Sequence, residues 1–301
     1  MASVGLVLGL LSALAWGFVD VTGALAGRLI GSMRVMAGSQ LVGFCILASI
    51  GLVAVVVGAP LPTPGSWMAV SAFTGFLAMI AYLAFLTALR IGPISIVSPV
   101  VAAYGGLTVV LAVVVRGEQL TSLEVIGALV ATIGVMAVGF VVPEGRRLPQ
   151  VRGRGVLFGL VSMFSFAVLT VIIATPIREV GWLPAMLTSR TVNAGLGLLL
   201  LTVTLALRPG WSATFLDGES SGWPRRAVLL ILVAGVLDVL GIITFSIALE
   251  NAPVWIVGLA SSLGPVVAVV FAVSVLGERP RPIQWAGLVA IGVGILLVGL
   301  P

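Results

Sequence analysis

The sequence predicts an all-α membrane protein of ten transmembrane helices, arranged as two inverted five-helix repeats. Three observations carry that reading: an apolar composition with little charge, ten long apolar runs, and a second half that repeats the first. The 301 residues are 60% hydrophobic and 8% charged, against about 45–50% apolar and about 25% charged in soluble domains. Mean hydropathy is +1.28. So little charge cannot cover a soluble surface, which excludes a soluble enzyme, a nucleic-acid binder and a disordered scaffold.

A helix needs about 20 apolar residues to cross the hydrocarbon core. Ten such runs lie at 3–25, 33–57, 66–90, 93–115, 121–142, 154–175, 183–207, 226–250, 253–276 and 282–300. They do not alternate apolar and polar, as barrel strands would. The first lacks a basic leader and carries Asp20, so it reads as a retained helix and not a signal peptide. Pro62 and Pro64 break the chain before the third run. Pro93 and Pro253 stand where helices begin, a position that tolerates proline. The segment from Pro143 to Arg154 divides the chain near its middle, and the longest loop, 208–225, reads as an exposed polar connection.

Residues 81–140 align with 241–300 at an offset of 160, and 17 of the 60 pairs are identical. They include Phe85/Phe245, Pro93/Pro253, Gly117/Gly277, Glu118/Glu278, Gly127/Gly287 and Gly134/Gly294. Earlier in the chain the offset is 150, with Gly5/Gly155, Gly9/Gly159, Arg28/Arg178 and Gly31/Gly181. The change falls between the loop at 58–65 and its longer counterpart at 208–225. The predicted domains are a first repeat at 1–142, a linker at 143–153 and a second repeat at 154–301. Five spans per repeat is an odd number, so the second repeat enters the membrane in the opposite sense. Inverted repeats with a site between them at mid-depth are a recurrent construction of secondary transporters.

Ala13-Leu14-Ala15-Trp16-Gly17 resembles the opening signature of EamA-type members of the drug/metabolite transporter superfamily. Gly117-Glu118 with Gly127 and Gly134 resembles the signature that ends each EamA repeat, and Gly277-Glu278 with Gly287 and Gly294 resembles it again. The second repeat departs at its start, with Ser165-Phe166-Ala167 in place of Ala15-Trp16-Gly17. The resemblance covers essentially the whole chain. It implies a carrier of small metabolites, often an exporter of amino acids or related compounds.

The absences narrow the chemistry. Histidine is missing and all fifteen basic residues are arginine, which removes lysine-dependent ATPase and Schiff-base chemistry and every histidine-based hydrolytic centre. Cys45 is the single cysteine, so there is no internal disulfide or thiolate cluster; it reads as a small packing residue. Nothing calls for a metal, a cofactor or a nucleic-acid partner. The expected partners are a small solute and the lipid bilayer of the plasma (inner) membrane. The net charge of +5 belongs to loop arginines that orient the chain.

Ionisable groups inside spans cost about 2.5–3.5 kcal/mol each at a helix centre, so they mark candidate sites. Asp238 lies midway along the eighth span among Ala234, Gly235, Gly241 and Ile242. It is either a proton- or cation-binding carboxylate or a buried structural acid. Arg190, with Asn193 one turn on and Gln40 as repeat equivalent, suits a solute carboxylate, a pairing with Asp238, or snorkelling. Asp20, toward the far end of the first span, has Trp16 one turn before it on the same face, an acid–aromatic pair suited to a cation or an interfacial anchor. Pro99 and Pro265 interrupt the fourth and ninth spans and free the Ser95 and Ser261 carbonyls, with Ser98 and Ser262 nearby. Tyr82, Tyr104 and Phe245 complete the candidate lining. Glu118 and Glu278 read as structural junctions, each favouring the start of the span that follows it. Gly5/Gly9 and Gly155/Gly159 suit close helix crossing.

Scored by alternate loops, twelve arginines fall on one side (Arg28, Arg34, Arg90, Arg146, Arg147, Arg152, Arg154, Arg208, Arg225, Arg226, Arg279, Arg281). Two, Arg116 and Arg178, fall on the other. The positive-inside rule then puts the linker in the cytoplasm and both termini outside, whereas the family resemblance implies cytoplasmic termini. The expected function is secondary transport by alternating access, with proton coupling through Asp238 or Asp20. The competing classes are a non-transporting membrane subunit and an intramembrane aspartyl enzyme, which would need a GxGD motif that neither aspartate has.

Overall fold

The computed structural model describes residues 2–91, 94–139, 153–208, 210–220, 222–267 and 281–299. The linker, Glu278 and the side chains of Ser95 and Ser98 lie outside what is described. The first repeat holds α1 (Ala2–Ile30), α2 (Ser32–Val56), α3 (Ser66–Ile91), α4 (Ile94–Ala102), α5 (Tyr104–Arg116) and α6 (Ser122–Gly139). The second holds α7 (Arg154–Val180), α8 (Trp182–Leu207), the short α9 (Ala213–Leu216), α10 (Arg225–Asn251), α11 (Val254–Ser261) and α12 (Pro282–Gly299). Among the described residues there is no strand, and nine helices are long and apolar enough to span a membrane. The fourth span is α4 with α5; the ninth begins with the apolar stretch Val254–Val267.

Most packing runs between the repeats. Helix α1 lies along α10, and its counterpart α7 lies along α3; α3 packs on α8 as α10 packs on α2. Two helices meet their own equivalents, α2 with α8 and α6 with α12, and the fourth span meets the ninth where α5 packs on α11, the equivalent of α4. Glycine permits the last contact. A side chain at Gly127 would strike the Gly294 carbonyl oxygen at 2.8 Å, and one at Gly134 would strike that of Gly287 at 2.8 Å. Residue number rises on one helix as it falls on the other, so the pair is antiparallel. Exchanging the repeats maps Gly127·Gly294 onto Gly287·Gly134. A two-fold rotation that superposes an antiparallel pair must lie perpendicular to the helices, hence in the membrane plane. The same exchange maps Gly75, packed on the Ser189 backbone, onto Gly235, packed on that of Ser39. Van der Waals contact between small residues is the main source of helix association in lipid. Large apolar side chains such as Leu52, Val56, Val114 and Leu129 stay on the outside, where the bilayer covers them.

Local chemistry sets the ends. Gly31 alone separates α1 from α2, and its equivalent Gly181 alone separates α7 from α8; their φ values of 86° and 85° favour glycine. A capping box, with the Thr121 N–H donating to Glu124 at 2.7 Å and the Glu124 N–H to Thr121 at 3.3 Å, starts α6. Gly117 ends α5 in the left-handed region. Glu118 then acts at a helix other than the one expected. It accepts the Val254 and Trp255 N–H groups at 2.9 and 3.0 Å, capping α11 of the opposite repeat, because the capping box already serves α6.

Several spans differ from their sequence reading. Helix α1 runs to Ile30, five residues past the expected end, so Asp20 lies inside the span and not at an interface. Helix α7 continues through Pro176 to Val180. Proline removes one hydrogen bond there, and in the same turn Arg116 donates to the Val171 carbonyl and the Thr175 hydroxyl. The fourth span passes through Pro99, and Ala103 alone separates α4 from α5; the helix path carries on across it, since the Ala103 N–H reaches the Pro99 carbonyl at 3.2 Å and the Leu107 N–H reaches that of Ala103 at 3.1 Å. The equivalent break, at Ser262–Leu263 just before Pro265, uses shorter-range bonds such as Leu263 N–H to Ala260 at 3.3 Å. Loop 208–225 is docked rather than free. Arg34 and Arg90 donate to carbonyls of Leu216, Thr214 and Asp217, and Phe215 packs against Phe158 and Trp211. Cys45 faces outward from α2, so it is not an interior packing residue. Gly5 and Gly9 are used inside the chain, against Ala252 and Ala260.

Candidate functional site

One cavity of about 340 Å³ lies between the repeats. Ten of the eleven positions singled out from sequence line it: Trp16, Asp20, Tyr82, Tyr104, Arg190, Asn193, Asp238, Phe245, Ser261 and Ser262. The eleventh, Ser98, has its side chain outside the described set. The wall also holds residues not named as site candidates from the sequence, among them Gln40, Phe85, Phe166, Thr170 and Ser189. A signal for them was present. Adding the repeat offset to a lining residue gives another lining residue in pair after pair: Trp16/Phe166, Asp20/Thr170, Gln40/Arg190, Ala78/Asp238, Tyr82/Ile242, Phe85/Phe245 and Tyr104/Gly264. The frame is symmetric in position, while the chemistry is not. Each charged member faces a neutral equivalent.

At the centre α8 meets α2 and α10. The Arg190 guanidinium lies 2.8 Å from the Asp238 carboxylate, and both groups are buried. Arg190 also donates to Gln40 Oε1, which accepts a second bond from Asn193 Nδ2 at 2.9 Å. Arginine offers donors only. Gln40 must therefore present its oxygen to it, Asn193 must present its amide nitrogen to that oxygen, and Asn193 Oδ1 is left buried without a hydrogen-bond partner. The Trp16 indole N–H donates to the other Asp238 oxygen at 3.1 Å and rests against Gly241 and the Phe245 ring, 5.2 Å away between centroids. So Trp16 serves Asp238, where the sequence placed it with Asp20.

Asp20 differs from Asp238. It is half-buried, lines the cavity, and takes no hydrogen bond among the described residues. Its carboxylate lies beside Gly264 in the broken ninth span. Nearby, the Tyr104 hydroxyl donates to Ser261 at 3.4 Å, and Tyr104, Phe166 and Phe85 form a chain of rings at 5.7 and 6.5 Å. The Ser261 and Ser262 hydroxyls donate to Gly258 and Leu259 of their own helix.

The cavity reaches one membrane side more closely than the other. Along α1 and α3 its wall runs from mid-helix to Arg28 and Arg90 in the last turns, on the arginine-rich side. Toward the opposite side it stops at Met186, Ile173 and Phe245, four, seven and six residues short of Trp182, Val180 and Asn251, where those helices end.

These features define a class: a multi-pass membrane protein of two inverted repeats around a shared internal cavity, the build of a secondary transporter. The sequence matches the EamA-like transporter family over residues 3–140 and 153–300, one match per repeat, and the chain belongs to that family. No curated protein matches the sequence. A protein of known crystal structure superposes with a TM-score of 0.78 at 19% identity, over 98% of both chains; at that identity the likeness concerns the fold alone.

Proposed function

We propose that this protein is a secondary carrier of the plasma membrane. It moves a small metabolite, such as an amino acid or related amphipathic compound, by alternating access between its two repeats. The observation that carries the reading is the cavity, whose lining residues come in repeat-related pairs while its charges do not. A positional two-fold lets the two halves exchange conformations at similar energy and open the same site to either side. The unpaired chemistry then gives the site its preference. In this reading the conformation faces the arginine-rich side, where the lining reaches Arg28 and Arg90 and which the positive-inside rule makes cytoplasmic. For an exporter this is the loading state.

Asp238 holds the bundle together in this reading, because one of its oxygens is taken by Trp16 and the other by Arg190. That leaves Asp20 as the carboxylate available for a coupling proton or cation. The same pairing removes Asp238 from any two-aspartate hydrolytic centre. The test is reconstitution into liposomes loaded with an unlabelled metabolite mixture, followed by counterflow of labelled components with and without a pH gradient. Saturable counterflow of at least one solute, absent from protein-free liposomes, is expected. No counterflow from monodisperse protein with any component would reject the carrier reading.

A further inference from the structure

We infer that the cavity takes a small amphipathic cation, a group with N–H donors carried on an apolar or aromatic body, with Asp20 as its counter-ion. This deepens the carrier reading and rests on it for the transport step only.

The inference follows from charge and from hydrogen-bond direction. Three ionisable side chains meet in the deep part of the cavity. Arg190 and Asp238 neutralise one another at 2.8 Å, leaving Asp20 as the one carboxyl group there without a counter-ion among the described residues. Most donors there are spent inside the protein. Arg190 gives to Gln40 and Asp238, Trp16 to Asp238, and Asn193 Nδ2 to Gln40. The serines of the broken ninth span give to their own helix, so they turn lone pairs outward. Pro265 has no N–H to offer the Ser261 carbonyl. Donors without a described acceptor include Gln40 Nε2 and the Tyr82, Thr170 and Ser189 hydroxyls, which carry no charge, and the remaining N–H groups of Arg190, whose charge Asp238 already balances. What stays unanswered is acceptor capacity: the Asp20 carboxylate and Asn193 Oδ1, which is buried in a residue only 4% exposed. A buried acceptor without a partner keeps its full desolvation cost, and a cationic N–H donor relieves that cost where an anion adds to it. The Tyr104–Phe166–Phe85 rings supply apolar surface and π faces that attract cations. Arg28 and Arg90 line the mouth, eight residues beyond Asp20 on α1 and at the end of α3. Eight residues of helix is about 12 Å, so they act on entry and not at the deep site. Arg90 is in addition held by the Thr214 and Asp217 carbonyls.

The test compares three probes that share a phenyl body. 2-Phenylethylguanidinium is a fixed cation, 2-phenylethylurea is its neutral isostere, and 3-phenylpropionate is an anion. Titration calorimetry on the purified full chain should show the guanidinium binding at least tenfold more tightly than either of the others. Asp20→Asn should weaken it at least tenfold and abolish the preference over the urea, while Asp20→Glu keeps most of both. Tighter binding of the carboxylate, equal binding of guanidinium and urea, or an unchanged guanidinium affinity in monodisperse Asp20→Asn would overturn the inference. If Asp20→Asn does not fold, the ranking of the three probes on the unmodified protein decides. Counterflow in liposomes separates the two readings. Guanidinium binding without counterflow leaves the site standing and rejects the carrier. Counterflow of the urea or the carboxylate alone supports the carrier and overturns the cation assignment.

Discussion

Arg190 and Asp238 show how much a side chain's meaning depends on its partner. From sequence, each had a functional reading and a pairing reading of equal physical merit, since an intramembrane charge is costly in either role. The structure joins them at 2.8 Å and adds Gln40, Asn193 and Trp16 as hydrogen-bond partners. Removing one partner of a buried ion pair strands the other charge and costs about 3–5 kcal/mol, whereas replacing both is far milder. Thermal unfolding in detergent should therefore show Asp238→Asn and Arg190→Gln each strongly destabilised, with the double variant recovering most of the loss. Additive losses in the double variant would mean that the pair does not act as a unit. Asp20 was legible as a candidate, but its distinction was not. Which of two aspartates is bonded depends on contacts across more than two hundred residues, and local pattern carries no such information.

At the scale of helices the sequence was most informative where a residue type is forced. Gly31 and Gly181 mark one-residue turns, and Gly127, Gly134, Gly287 and Gly294 mark the antiparallel α6–α12 contact; both sets were visible as repeat pairs. Reach was harder to read. Pro99 suggested a break, yet α4 absorbs it as α7 absorbs Pro176, because a single lost hydrogen bond is small beside the packing of a whole helix. Glu118 was recognisable as a junction residue, but its target on α11 lies in the other half of the chain. The close contact gives a direct prediction. Gly134→Val places its branched side chain within 2.9 Å of Gly287 and Ile291 atoms, so α6 and α12 must separate. Overpacking of this kind costs about 1–3 kcal/mol or more. The variant should unfold at a lower temperature than a control such as Gly292→Val, where nothing lies within 4 Å of the added carbon. Equal stability of the two would contradict the described packing.

For the whole molecule, the repeat offsets and the odd number of spans foretold two inverted halves, and the exchange of contacts between them puts the two-fold axis in the membrane plane. The same offsets held most of the cavity wall in advance, since a residue beside the axis meets the equivalent of its neighbour. What the sequence lacked was the state of the cavity, which depends on how the halves tilt and on no single residue. The central claim is that one cavity is opened to each side in turn. Ala24 lines the cavity one turn beyond Asp20 on α1, toward the arginine-rich side. The direct measurement is the rate at which an impermeant thiol reagent modifies Ala24→Cys, with Cys45 replaced by Ser, in right-side-out and in inside-out vesicles. Alternating access predicts labelling from both faces, faster from the arginine-rich one, with the balance shifted by a transported solute. Labelling from one face only, whatever solute is present, would contradict it.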